Sequence, residues 1–342
     1  MLRPTIRDLA EKAGVSVASV NRVLAGKGGV RQALREKVEA AAAEIGFYGL
    51  GAIQKHNTAN RPKFRLGVLL LQPHRPFYQM TASAFQDAAQ AFVQADVELH
   101  IEFLEDLTPQ NTASRATALA KVCQAICVTA AVHPIVTETL ERINNEGVRV
   151  FALITQLSVT GQFPYIGLDN WKVGLQAAWV IGKISKQPCK IGILMGNPRY
   201  RNQEMNETGF RSYIREYSPE FTVLESVSTF ESSAVAQEMT EKLLREHPDI
   251  GGLYVAGGGI SGALAALKTS RRSENLIVVG HELMDNTRAA LLDGTMTVAI
   301  AHPLRLLAER AIRGMMRAIS APDEAGMLTS IVPFEIYTRE NI

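Results

Sequence analysis

From Phe64 onward the sequence alternates between short apolar runs and amphipathic stretches, and this pattern constrains the fold more than any other feature. The apolar runs have the length of β-strands, and the stretches between them have the apolar spacing of helices. Such alternation is typical of parallel sheets covered by helices on both faces. The strands are too numerous for one compact doubly wound sheet. The sequence therefore predicts two α/β lobes with a ligand cleft between them, because such sheets bind ligands at the carboxyl ends of their strands.

Strand spacing and one turn-rich segment, Gly161–Pro164, define the predicted domain boundaries. The predicted strands are Arg65–Leu71, Val97–Phe103, Ala125–Thr129, Val148–Ile154, Lys190–Met195, Val223–Ser228, Gly252–Ala256, Ile277–Gly280, Met296–Ile300 and Ile331–Tyr337. We expect a small all-α head at residues 1–48, a connector at 49–63 and a ligand-binding domain at 64–342. Its first lobe would comprise about residues 64–161 and 296–325, and its second lobe about 162–295 and 326–342.

Positive charge is concentrated at the beginning of the chain. Residues 1–65 contain twelve of the 36 Lys and Arg but five of the 34 Asp and Glu, a balance of +7. The remaining residues contain 24 against 29, a balance of −5. A basic head on an acidic body indicates a polyanionic partner for the head, although a solvated charged face would have the same composition.

The composition also excludes several classes of protein. Apolar residues make up 46% of the chain and charged residues 20%, which fits folded cores and excludes a disordered or fibrous chain. The longest apolar runs, such as Leu66–Leu71, have strand length, so no membrane span is expected. Met1–Ala13 lacks the apolar segment of a signal peptide. The three cysteines form neither a CxxC pair nor an even disulfide set, so we expect a reduced, cytoplasmic protein.

The beginning of the chain has the pattern of short, capped helices. Thr5–Asp8 has the form of a capping box before an apolar stripe at helical spacing. The tight turn Gly14–Ser16 follows, and Ser16 can cap a second helix. Another amphipathic segment spans about residues 32–45. Two short helices joined by such a turn predict a helix-turn-helix, whose second helix enters the major groove of DNA.

Specific sequence motifs then point to a family. Thr5–Leu24 (TIRDLAEKAGVSVASVNRVL), Arg35–Ala41 (REKVEAA) and Glu44–Phe47 (EIGF) resemble the head of the LacI/GalR family of bacterial transcriptional regulators. The two-lobed region resembles the periplasmic sugar-binding proteins, as does the same region of that family. The resemblance implies a repressor that binds pseudo-palindromic operator DNA as a homodimer and responds to a small effector, with no membrane partner.

Within the head, position on the second helix suggests how each residue would meet DNA. Val17 and Ala18 would contact thymine methyl groups, and Arg22 would make a bidentate contact to guanine. The alternative for Arg22 is a phosphate contact that reads no sequence. The predicted DNA-binding residues are Thr5, Arg7, Ser16, Val17, Ala18, Ser19, Asn21, Arg22, Ile53 and Lys55.

The connector departs from the family pattern. Family members carry a short hinge helix here that wedges a leucine into the minor groove. His56 occupies the position of that leucine, and Gly51 weakens a helix. Leu50 or Ile53 could replace the wedge, or the protein could bind DNA without the usual kink.

Several residues near strand ends are predicted to line the cleft. They are Arg75, Phe77, Tyr78, His133, Asp169, Arg201, Asn206, Phe230, Glu282 and His302. Aromatic faces with a few polar groups suit a small carbohydrate or polyol. Asn206 stands where the family usually has an arginine. Simpler interpretations remain open: Asp169 could only cap a helix, His133 and His302 could be ordinary loop residues, and Phe230 could belong to the core.

One motif supports a different class of function. Gly257–Gly262 fits G-x-G-x-x-G between a strand and a helix, and Glu282 ends the next strand. This arrangement would suit an NAD-dependent oxidoreductase. A sugar-binding module without a DNA role is the other alternative. Because no HExxH or Gly-x-Ser-x-Gly pattern occurs, we expect no enzymatic activity, cofactor or bound metal.

Overall fold

The computed structural model of the protein describes residues 3–26, 30–53, 61–93, 95–158, 163–270, 276–321 and 329–342. The chain divides into two compact units. Met1–Phe64 and Phe92–Val97 form the first unit, which contains the helical head, and Arg65–Ala91 and Glu98–Ile342 form the second, which contains most of the two-lobed body.

The helices of the head begin at residues whose side chains cap them. They are α1 (Ile6–Ala13), α2 (Val17–Leu24) and α3 (Gln32–Glu44). The Thr5 N–H donates to Asp8 Oδ2 at 2.7 Å, and the Asp8 N–H donates to Thr5 Oγ1 at 3.4 Å, which is the predicted capping box. Gly14 ends α1 with a φ of 59°, a conformation that favours glycine. Ser16 Oγ then accepts the Ser19 N–H at 3.1 Å and starts α2.

The apolar faces of these helices pack into one buried cluster. It contains Leu9, Ala10, Ala13, Val20, Val23, Val38, Ala41, Ala42, Phe47 and Ile53. Fully burying a large aliphatic side chain stabilises a fold by about 1.5–3 kcal/mol, so this cluster holds the head together. Residues 50–53 form a helical turn after α3, and Ile53 is completely buried.

The first lobe of the body is built on a sheet in which the described pairings of β1 with β3, β3 with β4, β4 with β5 and β5 with β12 are parallel. Its strands are β1 (Lys63–Leu71), β2 (Asp96–Leu104), β3 (Ala125–Val128), β4 (Arg149–Leu153), β5 (Tyr165–Leu168) and β12 (Ser330–Val332). Their order is β12-β5-β4-β3-β1-β2. Its helices are α4 (Pro76–Ala91), α5 (Pro109–Ala120), α6 (Pro134–Asn145) and α12 (Leu304–Ser320).

The second lobe repeats the arrangement. Its strands are β6 (Lys190–Met195), β7 (Thr222–Val223), β8 (Val227–Ser228), β9 (Ile250–Val255), β10 (Ile277–His281), β11 (Val298–Ala301) and β13 (Glu335–Tyr337). Their order is β13-β11-β10-β9-β6-β7, and β8 also pairs with β6. Only the pairing of β11 with β13 is antiparallel among the described registers. Its helices are α7 (Asn170–Ile184), α8 (Arg201–Tyr217), α9 (Ser233–Glu246), α10 (Ile260–Ser270) and α11 (Asp285–Leu292). The predicted fold class, a helical head and a two-lobed α/β body, is confirmed.

The places where the chain crosses between the lobes differ from the predicted boundaries. β5 follows Gly161–Pro164 but pairs with β4 and β12, so the crossing comes after Leu168. β11 lies in the second sheet instead of the first, and β12 lies in the first instead of the second. The predicted strand Ile331–Tyr337 divides at Pro333 because proline has no N–H to donate to a sheet. Local apolar patterns predict that a strand forms, but the sheet that it joins depends on partners distant in sequence.

Two glycines let α7 and α8 approach closely. A Cβ atom at Gly209 of α8 would overlap the Trp171 carbonyl oxygen, and one at Gly174 of α7 would overlap the Asn206 carbonyl oxygen. The backbones of the two helices therefore touch at these points. This contact fixes α8, whose first turns carry side chains into the cleft.

Among the described residues, no helix is both long and apolar enough to cross a membrane. Cys123 and Cys127 are buried, free thiols. Burial raises the pKa of Cys123 to about 12, so this thiol stays protonated and packs as a small apolar group.

Candidate functional site

A cavity of about 610 Å³ lies between the lobes, at the carboxyl ends of their strands. Seven of the predicted cleft residues line it: Arg75, Phe77, Tyr78, Asn206, Phe230, Glu282 and His302. Both lobes and a crossing segment contribute, since Arg75 follows β1, Asn206 lies on α8 and His302 follows β11. A cavity of this size can hold a sugar-sized molecule.

Backbone strain is concentrated around this cavity. The non-glycine residues with positive φ among the described residues are Gln72 (23°), Ile154 (66°), Phe230 (50°), Glu231 (59°) and Glu282 (68°). All of them line the cavity. Left-handed backbone costs roughly 1–3 kcal/mol per such residue and tends to occur where a site demands a particular side-chain position. The strain therefore supports this cavity as the functional site.

Glu282 and His302 form a buried pair at the end of β10 and the end of β11. His302 Nδ1 lies 2.6 Å from Glu282 Oε1, and the His302 N–H donates to Glu282 Oε2 at 3.1 Å. The Glu282 carboxylate thus contacts both the ring and the backbone N–H of His302. His302 Nε2 is buried and has no hydrogen-bond partner among the described residues. A buried polar atom needs a partner, so this nitrogen is available to a ligand or a water molecule.

Arg75, Glu231 and Gln203 form a second polar group, and it joins the lobes. Arg75 Nη1 of the first lobe lies 3.2 Å from Glu231 Oε2 of the second. Gln203 Nε2 donates to Glu231 Oε1 at 2.7 Å, and Gln203 Oε1 accepts the Gly196 N–H at 2.7 Å. Nearby, the Val132 N–H donates across the cleft to the Arg199 carbonyl at 2.9 Å. The lobes are therefore in contact on this side of the cavity.

Asparagine amides on α8 supply further polar groups. Asn206 Nδ2 donates to the Ala256 carbonyl at 3.3 Å, and this hydrogen bond does not involve the Oδ1 atom of Asn206. Oδ1 of Asn206 and Oδ1 of Asn202 are buried without partners among the described residues. At position 206 the cleft therefore offers a hydrogen-bond acceptor, where an arginine would offer only donors.

Aromatic side chains form part of the cavity wall. The ring of Phe77 lies 5.1 Å from that of Tyr78 and 5.6 Å from that of His302, measured between centroids. Phe230 is 72% exposed, so it belongs to the wall and not to the core. Burial raises the pKa of the Tyr78 phenol well above its usual value, and the charge of Glu231 raises it further. Tyr78 thus stays neutral.

Three predicted cleft residues do not line the cavity. The side chain of His133 caps α6 by accepting the Ile135 N–H at 3.3 Å. Asp169 caps α7 through the Lys172 N–H at 3.2 Å, and the neighbouring Asn170 lines the cavity instead. Arg201 Nη1 donates to Glu204 Oε2 at 2.5 Å and points along its own helix. Asp169 and His133 therefore cap helices, as the simpler interpretation of Asp169 anticipates, and Arg201 forms an ion pair with Glu204.

The glycine-rich loop before α10 is occupied by side chains of the protein itself. A Cβ atom at Gly257 would overlap Gln203 Oε1, and one at Gly258 would overlap Glu231 Oε2. The glycines therefore make room for a buried amide and a carboxylate. A carboxylate at this place repels a pyrophosphate, so the geometry does not favour the dinucleotide interpretation.

Sequence reasoning missed Gln203, Glu231 and Asn202. Gln203 and Asn202 lie on a helix whose apolar spacing gives no sign of a site, and Glu231 lies in a short loop after β8. The one sequence feature that could have indicated these three residues is their proximity to Asn206 and Phe230, which were predicted to line the cleft.

On the head, the predicted DNA-binding residues of α2 lie on its outer face. Val17 is 40% exposed, Ala18, Asn21 and Arg22 are exposed, and Ser19 is half-buried. Arg22 Nε donates to the Ala18 carbonyl at 3.4 Å, so its guanidinium lies along the helix surface. Exposed Arg7, Thr5 and Ser16 lie at or near the starts of α1 and α2.

Two residues of the connector, Ile53 and Lys55, were predicted to contact DNA, and the structure describes only the first of them. Ile53 was predicted to contact DNA, but it is completely buried in the apolar cluster of the head. The helical turn at residues 50–53 folds it inward because its apolar side chain gains more from that core than from solvent. The prediction for Ile53 is therefore wrong for this arrangement. Lys55 and His56 lie outside the described residues.

Known proteins match both units. Residues 5–49 match the bacterial regulatory proteins of the lacI family, and residues 68–323 match the periplasmic binding protein domain. A D-apiose import binding protein from Paraburkholderia graminis is 24% identical over 198 residues, which span 57% of this chain and 63% of that protein. A ribose operon repressor from Halalkalibacterium halodurans is 25% identical over 284 residues, 81% of this chain and 80% of that protein.

Solved structures share the fold of the body. A glucose-galactose binding protein from Geobacillus stearothermophilus superposes with a TM-score of 0.74 at 14% identity, covering 82% of this chain and 99% of that chain. At this identity the likeness concerns the fold alone. The family matches extend over most of the chain and agree with the observed head and lobes. The chain belongs to the periplasmic binding protein domain family and, with its lacI-family head, is a bacterial regulator of the LacI/GalR type.

Proposed function

We propose that this protein is a transcriptional repressor whose head binds operator DNA and whose cleft binds a small, uncharged sugar or polyol that changes operator affinity. It acts as a homodimer in the cytoplasm, without a cofactor. The observation that carries this proposal is the joint presence, in one chain, of a helix-turn-helix with an exposed α2 face and a strained, polar cavity between two lobes. The names of the related ribose operon repressor and D-apiose binding protein agree with a sugar ligand.

The polar groups of the cavity suit hydroxyl groups. Asn206 Oδ1 accepts a hydrogen bond, and His302 Nε2 is free for a second one. A hydroxyl can donate to either atom, and the Phe77 ring can pack against the C–H face of a sugar. A polyol meets both requirements, whereas an apolar ligand would leave the buried polar atoms unpaired.

Ligand binding at this position can act on the angle between the lobes. Among the described residues, the chain crosses at Leu168–Asn170, at His302–Pro303 and at Pro333–Phe334. His302 belongs to a crossing and also lines the cavity. A ligand that binds one lobe angle better than another shifts the population toward that angle, and in a dimer this changes the spacing of the heads.

Neither alternative explains both units. An oxidoreductase would need the glycine-rich loop for a dinucleotide, but Gln203 and Glu231 fill the space beside it. A sugar-binding module without a DNA role leaves the exposed face of α2 and the excess of basic residues in the head without a purpose. We therefore favour a regulator without catalytic activity.

We expect the purified protein to bind operator DNA with an affinity that falls steeply as salt rises, because basic side chains release counterions from the phosphates. The operator would be selected from random duplexes, and binding would be measured by fluorescence anisotropy at several salt concentrations. A thermal-shift screen of sugars, polyols and nucleobases, with D-ribose first, would identify the effector, since a ligand of the folded state raises the melting temperature. A sugar or polyol that stabilises the protein in this screen should also change the affinity of the protein for operator DNA. Equal affinity for selected and scrambled duplexes would contradict the proposal.

Replacing Asn206 with leucine should weaken sugar binding by about tenfold or more, because the ligand hydroxyl loses a buried hydrogen-bond acceptor. Isothermal titration with the selected sugar measures this loss, while operator affinity without sugar should stay unchanged. Thr240→Val is the matched control, since Thr240 is also fully buried in the second lobe and bonds the Ala236 carbonyl at 2.6 Å, away from the cavity. An equal loss of affinity in both variants would show that Asn206 acts only through stability.

A further inference from the structure

Arg75 is the only lysine or arginine among the described residues that line the cavity. Its side chain is 19% exposed, and its partner Glu231 is 7% exposed. The pair is therefore largely removed from water, and opposite charges attract each other more strongly in such a buried environment than in water. The other acidic residue of the lining, Glu282, is held by His302. Arg75 thus has Glu231 as its carboxylate partner.

The position of Glu231 is built into the second lobe. Phe230 and Glu231 are consecutive residues with φ values of 50° and 59°, and this strained turn directs the carboxylate inward. Gln203 donates to one carboxylate oxygen, and the absence of a Cβ at Gly196 and at Gly258 leaves room for the group. Several elements therefore cooperate to hold one negative charge beside Arg75.

An arginine in a ligand cleft would otherwise attract anions. Guanidinium groups bind carboxylates and phosphates through paired, charge-assisted hydrogen bonds. Here that capacity is already used by a carboxylate of the protein. An anionic ligand would have to displace Glu231 or be buried close to it, and like charges at short range repel.

We infer that Glu231 is a specificity-determining residue that neutralises Arg75, so that the cleft accepts uncharged ligands and rejects their phosphorylated or carboxylated derivatives. This inference rests on the proposed function of the cleft as an effector site, and it adds a rule about ligand charge. It also assigns the Arg75–Glu231 pair a role beyond stability, because a purely structural pair would not affect the choice between neutral and anionic ligands.

Inorganic phosphate tests this inference without knowledge of the natural effector. In the wild-type protein, about 10 mM sodium phosphate should stabilise no more than sodium chloride of equal ionic strength. In Glu231→Gln the released guanidinium should bind the anion and raise the melting temperature by about 2 °C or more. Adding Arg75→Gln to that variant should abolish the gain. The ratio of the affinity for D-ribose to the affinity for D-ribose 5-phosphate measures the preference for a neutral sugar. This ratio should fall by about tenfold in Glu231→Gln.

Glu207→Gln is the matched control. Glu207 lies on α8 of the same lobe, is 17% exposed and pairs with Arg211 at 2.7 Å outside the cavity. It should show no response to phosphate. Because removal of one partner of a buried pair can destabilise a fold, Glu231→Ala serves as a second variant, and circular dichroism checks both.

Phosphate stabilisation of the wild-type protein would overturn the inference. So would a folded Glu231→Gln or Glu231→Ala protein that does not respond to phosphate, or a response that persists without Arg75. Failure of the proposed function would be recognised separately, as absent operator binding or no stabilisation by any neutral sugar, since the phosphate measurement needs neither DNA nor a sugar.

Discussion

Replacing Gly209 with alanine should lower the free energy of unfolding of the body by about 2–3 kcal/mol, because the new methyl group would overlap the backbone of the neighbouring helix. The added Cβ would meet the carbonyl oxygen of Trp171 and lie 3.1 Å from its carbonyl carbon. Backbone atoms cannot rotate away as a side chain can, so α7 and α8 must separate. Urea unfolding followed by circular dichroism measures the loss.

The same substitution should also weaken effector binding. α8 carries Gln203 and Asn206 into the cavity, so displacement of this helix moves both side chains. Gly314→Ala is the control: Gly314 lies within α12, where an added Cβ would meet Phe151 at an ordinary 3.5 Å. Since alanine is the better helix former by about 1 kcal/mol, this variant should be as stable as the wild type or more stable. A Gly209→Ala protein as stable as Gly314→Ala would refute the close packing of α7 and α8.

Arg22→Ala should reduce affinity for the selected operator by about 10- to 100-fold, if Arg22 makes the proposed bidentate contact to guanine. Arg22 is exposed on α2 and bonds only weakly to its own helix, at 3.4 Å, so it can turn toward a base without breaking the fold. Binding to a scrambled duplex should fall much less. Anisotropy titrations with both duplexes measure the two losses.

Arg22→Lys separates charge from geometry. Lysine keeps the positive charge but lacks the planar fork, so this variant should retain nonspecific affinity and salt dependence while losing much of its sequence preference. A uniform loss on selected and scrambled DNA in Arg22→Ala would show that Arg22 only contacts phosphates. The melting temperature of the head should not change, because Arg22 is not part of its apolar cluster.

The head was predictable from sequence because its determinants are local. The capping box of Thr5 and Asp8, the left-handed Gly14 and the cap at Ser16 each act within a few residues. Ile53 shows the limit of such reasoning: its burial depends on contacts with the rest of the head, which a motif does not encode.

For the body, the existence of strands was more predictable than their membership in a sheet. β5 is a buried four-residue strand of the first lobe, too short to show a periodic pattern. β11 and β12 have ordinary strand sequences, but their partners lie more than ten residues away, in β10 and β5. The cavity residues follow the same rule. Arg75 and Glu282 follow recognisable strands, whereas Glu231 gains its role from Arg75, far away in the chain.

The left-handed residues around the cavity bear on how this protein would evolve. Glycine at Gln72, Ile154, Phe230, Glu231 or Glu282 would relieve roughly 1 kcal/mol or more of backbone energy at each position. A laboratory selection for heat resistance alone would therefore favour such replacements and erode the binding surface. Selection that alternates between heat resistance and sugar response should instead favour stabilising substitutions at other positions. The five positive-φ residues should then remain unchanged, because replacing them would raise stability but weaken sugar binding.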